Sequence, residues 1–269
     1  MTQFSVAVVQ LDSRTDTERN LRKMCSFVDE AAEEGADLVA FPEMATYIGD
    51  TSRYSDIAEE VPGPTIDTLA EKAREHGLYV HTGSLFESIP DSDRVYNTSG
   101  VIGPDGDLID TYRKIHLFDI GGDVDHWESS YVAPGEEVTA VETELATFGL
   151  SICYDLRFPE LYRTLATQGA DVLFVPAAFA LRTGKDHWET LLRARAIENQ
   201  AYVIAPAQTG DKPETYETYG RSLVVDPWGN VVSKASDREG MFTTTIDLEY
   251  LEKTRSSLCT LDHVRPEVY

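Results

Sequence analysis

The chain has 269 residues, of which 42% are hydrophobic, and 47 acidic against 23 basic side chains give it a formal net charge of −24. This length can bury a substantial core, and because no linker, low-complexity tract or repeat divides it, we expect one domain over residues 1–269. The acidic balance argues against nucleic acid and anionic membrane surfaces as partners, since phosphate binding needs clustered cations.

Strand and helix patterns alternate through the first half of the chain. Apolar, β-branched runs predict strands at 4–10, 38–41 and 79–86. Helical spacing of apolar residues predicts helices at 16–34 and 65–76, each followed by a glycine. Two further runs, 96–102 and 108–112, flank the turn sequence Pro104-Asp105-Gly106 and predict a hairpin.

The second half continues in the same style. Strands are predicted at 146–153, 172–176, 202–207 and 241–246, helices at 160–168 and 187–200, and a hairpin from 223–226 and 231–234. A short helix and a tail end the chain. The hairpins require mixed sheets, and the interspersed helices indicate a layered α/β sandwich. Periodicity alone does not give the number of layers.

The compartment is indicated by what the chain lacks. Residues 1–10 have neither the basic nor the long apolar region of a signal peptide, and no apolar run approaches the roughly 18 residues of a membrane span. Three cysteines, Cys25, Cys153 and Cys259, make a poor disulfide framework. We therefore expect a soluble protein of a reducing cytoplasm that has no membrane partner.

The acidic residues are scattered along the chain, unlike those of an acidic tail. Charge repulsion on this scale destabilises a compact state, and salt screens it. We therefore hypothesise a protein adapted to molar salt, as in a halophile. The alternative is an ordinary acidic enzyme.

Three polar residues follow predicted strands, where α/β sheets build their sites. Cys153 ends one strand just before a helix start, whose partly positive end favours the thiolate. Glu43 has the chemistry of a base, and Lys114 that of a cation which stabilises an oxyanion. Taken alone, each has a commoner explanation, as a buried cysteine, a solvated carboxylate or a surface lysine.

The order and the flanking sequences of these residues change that assessment. FPE at 41–43, YRKIHLF at 112–118 and SICYDLRFPE at 151–160 resemble the three catalytic segments of the nitrilase superfamily of carbon-nitrogen hydrolases. Residues 177–203 and 219–232, together with RPEVY at 265–269, resemble the branch that contains ω-amidases and deaminated-glutathione amidases. The resemblance covers nearly the whole chain.

The resemblance implies a four-layer α-β-β-α sandwich and a Glu43–Lys114–Cys153 catalytic set. It matches Glu128 to a second glutamate near the site, and the backbone N–H of Tyr154 is expected to bind the oxyanion. Family members commonly form dimers or larger assemblies through their helical layers and C-terminal tail, here about 250–269. No metal or organic cofactor is implied.

The implied reaction is hydrolysis of a small amide through a cysteine thioester, with water as the second reactant and release of ammonia. Arg157, Phe179 and Thr183 match positions that contact a carboxylate-bearing substrate in that branch. An Arg fork suits a carboxylate. The alternative for Arg157 is an ion pair with Glu160 or Asp155.

Other functions remain open from the sequence. The same fold carries N-carbamoyl amino acid hydrolases and nitrilases, and a scaffold that lost its chemistry would lack one of the three residues. A nucleotide-binding protein is disfavoured because neither GxGxxG nor a P-loop occurs. His116 and His187 lack the HxxxH or CxxC pairing of a metal site, so none is expected.

Overall fold

The first β-sheet has seven strands in mixed parallel and antiparallel pairs. In this computed structural model, which describes residues 2–121, 126–212, 216–265 and 267–268, its strands are β1 (Gln3–Gln10), β2 (Leu38–Ala40), β3 (Tyr79–His81), β4 (Leu85–Ser88), β5 (Val95–Ile102), β6 (Leu108–Arg113) and β17 (Gly240–Asp247). Their order is β17-β1-β2-β3-β5-β4, and β6 pairs with β5 on the side opposite β3 and β4.

The second sheet has six strands. They are β9 (Ala140–Glu142), β10 (Thr147–Leu150), β11 (Val172–Phe174), β12 (Tyr202–Ala205), β15 (Leu223–Val225) and β16 (Val231–Lys234), in the order β16-β15-β12-β11-β10-β9. Two short pairs lie apart from the large sheets, β7 (Asp119–Ile120) with β8 (His126–Trp127) and β13 (Thr209–Gly210) with β14 (Thr218–Tyr219). Both large sheets are mixed, as the hairpins predicted.

The described residues form seven α-helices. They are α1 (Thr17–Glu33), α2 (Tyr54–Ile57), α3 (Pro64–His76), α4 (Pro159–Thr167), α5 (Leu181–Thr183), α6 (Glu189–Asn199) and α7 (Leu248–Ser257), with a π-helical segment, Gly184–Trp188, between α5 and α6. Among the described residues, no helix is both long and apolar enough to span a bilayer.

Three apolar clusters define the layers. Side chains of both sheets, including Val6 and Phe174, share one buried cluster between the sheets. The opposite face of the first sheet packs with residues of α1 and α3 such as Val28 and Leu69. The opposite face of the second sheet packs with α4 and α6. The chain is therefore an α-β-β-α sandwich, and the predicted fold class is confirmed.

The strand predicted at 79–86 is wrong as one element, because it is divided into β3 and β4. Gly83 stands in the break with φ of +70°, and a Cβ there would lie 2.0 Å from the carbonyl oxygen of Pro42. Only glycine allows that backbone approach. The break lets the segment after β2 cross the end of the sheet, and that segment carries Glu43.

Part of the predicted oligomer tail is packed on its own chain. Residues 248–257 form α7, which buries Leu251 in the core between the sheets, and Arg255 pairs with Asp171 at 2.7 Å. Residues 266 and 269 of the quoted RPEVY segment lie outside the described residues.

Candidate active site

Glu43 is buried where β2 leaves the first sheet, and it is only 1% exposed. Its Oε1 accepts a hydrogen bond from Nδ2 of Asn97 at 3.0 Å, and its Oε2 accepts the backbone N–H of Ala178 at 2.8 Å. Gln208 donates to the Glu43 carbonyl oxygen at 3.0 Å. The carboxylate is therefore held from both sheets.

Lys114 is buried directly after β6 and bridges two carboxylates. Its Nζ lies 2.9 Å from Oε1 of Glu43 and 2.9 Å from each oxygen of Glu128. Phe118 donates its backbone N–H to Oε2 of Glu128 at 2.6 Å. One ammonium and two carboxylates thus form a compact buried group with one excess negative charge.

This excess charge and the burial shift the pKa values of the group. Burial, and then the Glu43 charge, raise the pKa of Glu128, against the opposing effect of Lys114. For Lys114, burial opposes the ammonium, but the negative charges of Glu128 and Glu43 hold its pKa well above the ordinary value. Lys114 is therefore charged at neutral pH.

Cys153 stands on a sharp turn between β10 and α4, with φ of +48°. Its backbone N–H donates to the carbonyl of Pro176 at 2.9 Å. A non-glycine residue with positive φ is uncommon, and a nucleophile on such a turn is typical of strained strand-to-helix elbows. The backbone N–H of Tyr154 has no hydrogen-bond partner within the described residues and is therefore free to bind an oxyanion.

The expected preference of Cys153 for the thiolate is wrong for the free site. Burial first, and then the negative charge of Glu43, raise the pKa of the thiol well above its ordinary value, and Lys114 only partly offsets them. The turn Cys153–Arg157 is a 3₁₀ turn, and α4 begins only at Pro159, so a long helix dipole does not point at the sulfur. The resting cysteine is a thiol.

One pocket brings the sequence-predicted residues together. It is lined by Glu43, Lys114, Glu128, Cys153, Tyr154, Arg157, Phe179 and Thr183, and also by Met44, Ile48, Thr51, Tyr54, Phe86, Phe118, His126, Tyr131, Ala178, Ala180 and Tyr216. A polar floor therefore lies under largely aromatic walls. Such a pocket excludes water and strengthens the electrostatic interactions at its floor.

Arg157 brings an uncompensated positive charge to this pocket. No carboxylate of the described residues pairs with it, so the alternative ion pair with Glu160 or Asp155 is not formed. Its guanidinium carbon instead lies 5.2 Å from the ring centre of Phe179, and Nη1 lies 3.3 Å from Nδ1 of His187. An unpaired guanidinium in a pocket is suited to a carboxylate ligand.

Several pocket residues were not predicted. Asn97 contacts Glu43 from β5, and the Tyr216 hydroxyl donates to the carbonyl of Ala178 at 2.8 Å. His126 lines the pocket, and burial followed by the charge of Lys114 lowers its pKa. The sequence signal for Asn97 was a polar residue within a strand, which alone does not identify a function.

The histidines considered as metal ligands have other contacts. His116 lies against Asp155, and His187 against Arg157. Asp29, Glu75 and His76 bring ligand atoms within 4.8 Å of one another outside the pocket. Lys72 already contacts Asp29 at 2.8 Å and Glu75 at 2.9 Å, so a cation is in place there.

Four layers of helix, sheet, sheet and helix, with glutamate, lysine and cysteine at one edge, define the nitrilase-like class of proteins. Residues 5–256 match the family model described as carbon-nitrogen hydrolase. The chain belongs to that family and is a hydrolase of carbon-nitrogen bonds, and the predicted family is confirmed.

Named relatives support the predicted branch. Two curated proteins illustrate the similarity. One is the omega-amidase NIT2 of Mus musculus, at 40% over 100% of this chain and 98% of that one. The other is the deaminated glutathione amidase of Synechocystis sp. PCC 6803, at 39% over 98% of each. The C. elegans NitFhit crystal structure superposes with a TM-score of 0.95 and 39% identity, covering 100% of this chain and 66% of that chain.

Proposed function

We propose that the protein is a cysteine-dependent amidase that hydrolyses a small, carboxylate-bearing amide through a thioester. The observation that carries the proposal is the Lys114 ammonium, 2.9 Å from both Glu43 and Glu128, beside the Cys153 thiol on the floor of one pocket. Acyl transfer to sulfur needs a base, a nucleophile and an oxyanion stabiliser, and the floor supplies all three types.

In the first half-reaction, Glu43 accepts the proton of the Cys153 thiol while the sulfur attacks the amide carbon. Because the resting thiol is protonated, this transfer is coupled to attack. The oxyanion is stabilised by the Tyr154 N–H and by Lys114. Nζ of Lys114 contacts both oxygens of Glu128. Lys114 can therefore turn one N–H to the oxyanion while it keeps a hydrogen bond to one oxygen of Glu128.

The tetrahedral intermediate then collapses. Glu43 returns its proton to the departing nitrogen, the carbon–nitrogen bond breaks, and the thioester with Cys153 remains. In the second half-reaction Glu43 takes a proton from water, whose oxygen attacks the thioester carbon. The carbon–sulfur bond breaks, the thiol recovers the proton, and the acid leaves. Glu128 is proposed to hold Lys114 in place during both steps.

Arg157 is proposed to bind a substrate carboxylate, with Phe179 against the carbon chain and Thr183 as a hydrogen-bond donor. The substrate class follows: an acid whose amide is separated from the carboxylate by a short chain, such as an ω-amide of a keto acid. Deaminated glutathione, named by one relative, fits the same description. N-carbamoyl amino acids and nitriles are the alternatives on this fold.

The test is a screen of hydrolysis with α-ketoglutaramate, deaminated glutathione, N-carbamoyl amino acids and simple nitriles. The product measured is free amine for deaminated glutathione and ammonia for the other substrates. We expect activity on amides with a carboxylate, and Arg157→Met should raise KM for these while a neutral short-chain amide is affected little. Activity confined to nitriles would contradict the amidase proposal.

We further propose a cytoplasmic homo-oligomer of one domain. Ile197 and Trp228 are 49% and 55% exposed, and both lie on the α6 side of the second sheet, where Arg193 donates to Gly229 at 2.7 Å. Such a patch on a helical layer supports pairing there. Sedimentation should show a dimer or larger species, and Trp228→Ser should weaken it; a monomer would contradict this.

A further inference from the structure

Asn97 is a buried residue whose side-chain amide contacts Glu43 and whose backbone carbonyl contacts the backbone of Lys114. It lies on β5, and alternation along the strand places Asn97, Ser99 and Val101 on one face. Val101 belongs to the apolar core between the sheets, and Asn97 is only 1% exposed. A polar side chain buried on this face costs free energy unless it makes hydrogen bonds.

The contacts of Asn97 join two separate parts of the site. Its backbone carbonyl oxygen accepts a hydrogen bond from the backbone N–H of Lys114 at 2.9 Å. Its Nδ2 donates to Oε1 of Glu43 at 3.0 Å, the same oxygen that lies 2.9 Å from Nζ of Lys114. One residue therefore sets the backbone of the lysine and the orientation of the carboxylate.

The other end of the amide is unsatisfied. Oδ1 of Asn97 is buried without a hydrogen-bond partner in the described part of the chain, although buried polar atoms nearly always have one. Turning the amide over would set Oδ1 against Oε1 of Glu43, where two acceptors repel. The unpaired oxygen is thus the cost of giving Glu43 an N–H donor.

We propose that Asn97 is a positioning residue for proton transfer, which fixes the orientation of the Glu43 carboxylate while adding no charge to the site. The inference rests on the proposed role of Glu43 as the base. A neutral donor is the group that fits here. The site already carries two carboxylates on one ammonium, so an acid at position 97 would add repulsion and a second cation would compete with Lys114.

Asn97→Asp is the sharpest variant because it keeps the size of the side chain and replaces the donor by an acid. The ionisable groups that face Glu43 are Lys114, Glu128, Cys153, His126, Tyr54, Tyr131 and Tyr216. The variant alters none of them. Two carboxyl groups at hydrogen-bond distance resist ionising together, so one proton is retained to higher pH.

The experiment is the pH profile of kcat/KM for the wild type, Asn97→Asp and Asn97→Ser. We expect the acid limb of Asn97→Asp to move up by about one pH unit or more. Asn97→Ser, too short to reach Glu43, should lower kcat by roughly tenfold or more with KM little changed. Asn199 is the matched control, since its Oδ1 is also buried and unpaired and its Nδ2 donates to Arg195 at 3.0 Å. Asn199→Asp should lose thermal stability and keep the wild-type limb.

An unchanged acid limb in Asn97→Asp, or an unchanged kcat in Asn97→Ser, would overturn the inference. If Asn97→Asp does not fold, the kcat of Asn97→Ser decides. Glu43→Gln separates this failure from that of the proposed function. Full activity in Glu43→Gln would remove the proposed base, whereas its inactivity beside wild-type behaviour of both Asn97 variants would remove only the role of Asn97.

Discussion

His116 and Asp155 join the lysine segment to the cysteine segment. Nδ1 of His116 lies 2.7 Å from Oδ1 of Asp155, and the same oxygen accepts the His116 backbone N–H at 3.0 Å. The other oxygen accepts the Tyr112 hydroxyl at 2.7 Å and the Ile152 N–H at 2.8 Å. Asp155 is fully buried, so one carboxylate fixes both segments relative to each other.

Asp155→Asn should therefore impair both activity and stability. We expect kcat to fall by roughly 10²-fold, because small misplacement of reacting groups has effects of that size. The unfolding free energy should fall by about 1–3 kcal/mol from the unpaired donors. Steady-state kinetics and urea melts measure the two effects. Asp171→Asn is the control: Asp171 also accepts a backbone N–H, from Thr147 at 3.1 Å, but outside the pocket. Equal kcat in Asp155→Asn and wild type would refute the positioning role.

Glu43→Gln should separate thiol ionisation from catalysis. Burial and then the Glu43 charge raise the pKa of Cys153, so removing the charge should lower that pKa while burial persists. Iodoacetamide should label Cys153 faster at pH 8, whereas amide hydrolysis should fall by roughly 10²–10⁴-fold with loss of the base. Slower labelling together with retained hydrolysis would contradict both parts. Peptide mapping distinguishes Cys153 from Cys25 and Cys259.

His81 should make the fold sensitive to acid. It is fully buried against Phe174, with ring centres 4.3 Å apart, and burial lowers its pKa from 6.5 to about 3. The unfolded chain therefore binds a proton between these values that the folded chain excludes, and stability falls as pH drops below 6.5 until about pH 3. At pH 5 the loss is about 2 kcal/mol, from about 1.4 kcal/mol per pKa unit.

The comparison of wild type with His81→Gln isolates this contribution from the many carboxylates. Glutamine keeps a donor for Ser99, whose hydroxyl lies 3.1 Å from Nε2 of His81. We expect the melting temperature of the wild type to fall more steeply between pH 6.5 and 4.5 than that of the variant. Parallel pH curves would show that His81 does not titrate on unfolding in this range.

The net charge of −24 should make stability depend on salt. If the surface is adapted to molar salt, the melting temperature should rise steadily from about 0.1 to 3 M KCl as repulsion is screened. Thermal melts at fixed pH measure it. A maximum at low salt would indicate an ordinary acidic enzyme instead.

The sequence allowed the strands, the helices and the three segments of the site to be predicted, because each of the three polar residues lies at or just after the end of a predicted strand. Glu43, Lys114 and Cys153 meet because these runs end at one edge of the two sheets. The role of Asn97 could not be predicted, since it depends on the register of β5 with β6, in which Thr98 faces Arg113.

Two further features depend on distant contacts. The break at Gly83 reflects its approach to Pro42, and the state of the Cys153 thiol reflects burial by loops from both sheets. Neither the approach of Gly83 to Pro42 nor the burial of Cys153 can be read from the local sequence pattern. The aromatic walls, including Tyr54 and Tyr216, come from segments more than 150 residues apart, so no single motif marks them.

The central claim, that Cys153 carries the acyl group, is tested most directly by measuring the release of ammonia or amine by single cysteine variants. With the best substrate of the screen, Cys153→Ala should show no turnover above background while keeping the wild-type melting temperature within a few degrees. Cys25→Ala and Cys259→Ala, which remove the other two free thiols, should retain nearly full activity. Substantial turnover by Cys153→Ala, in a protein that melts like the wild type, would contradict the account.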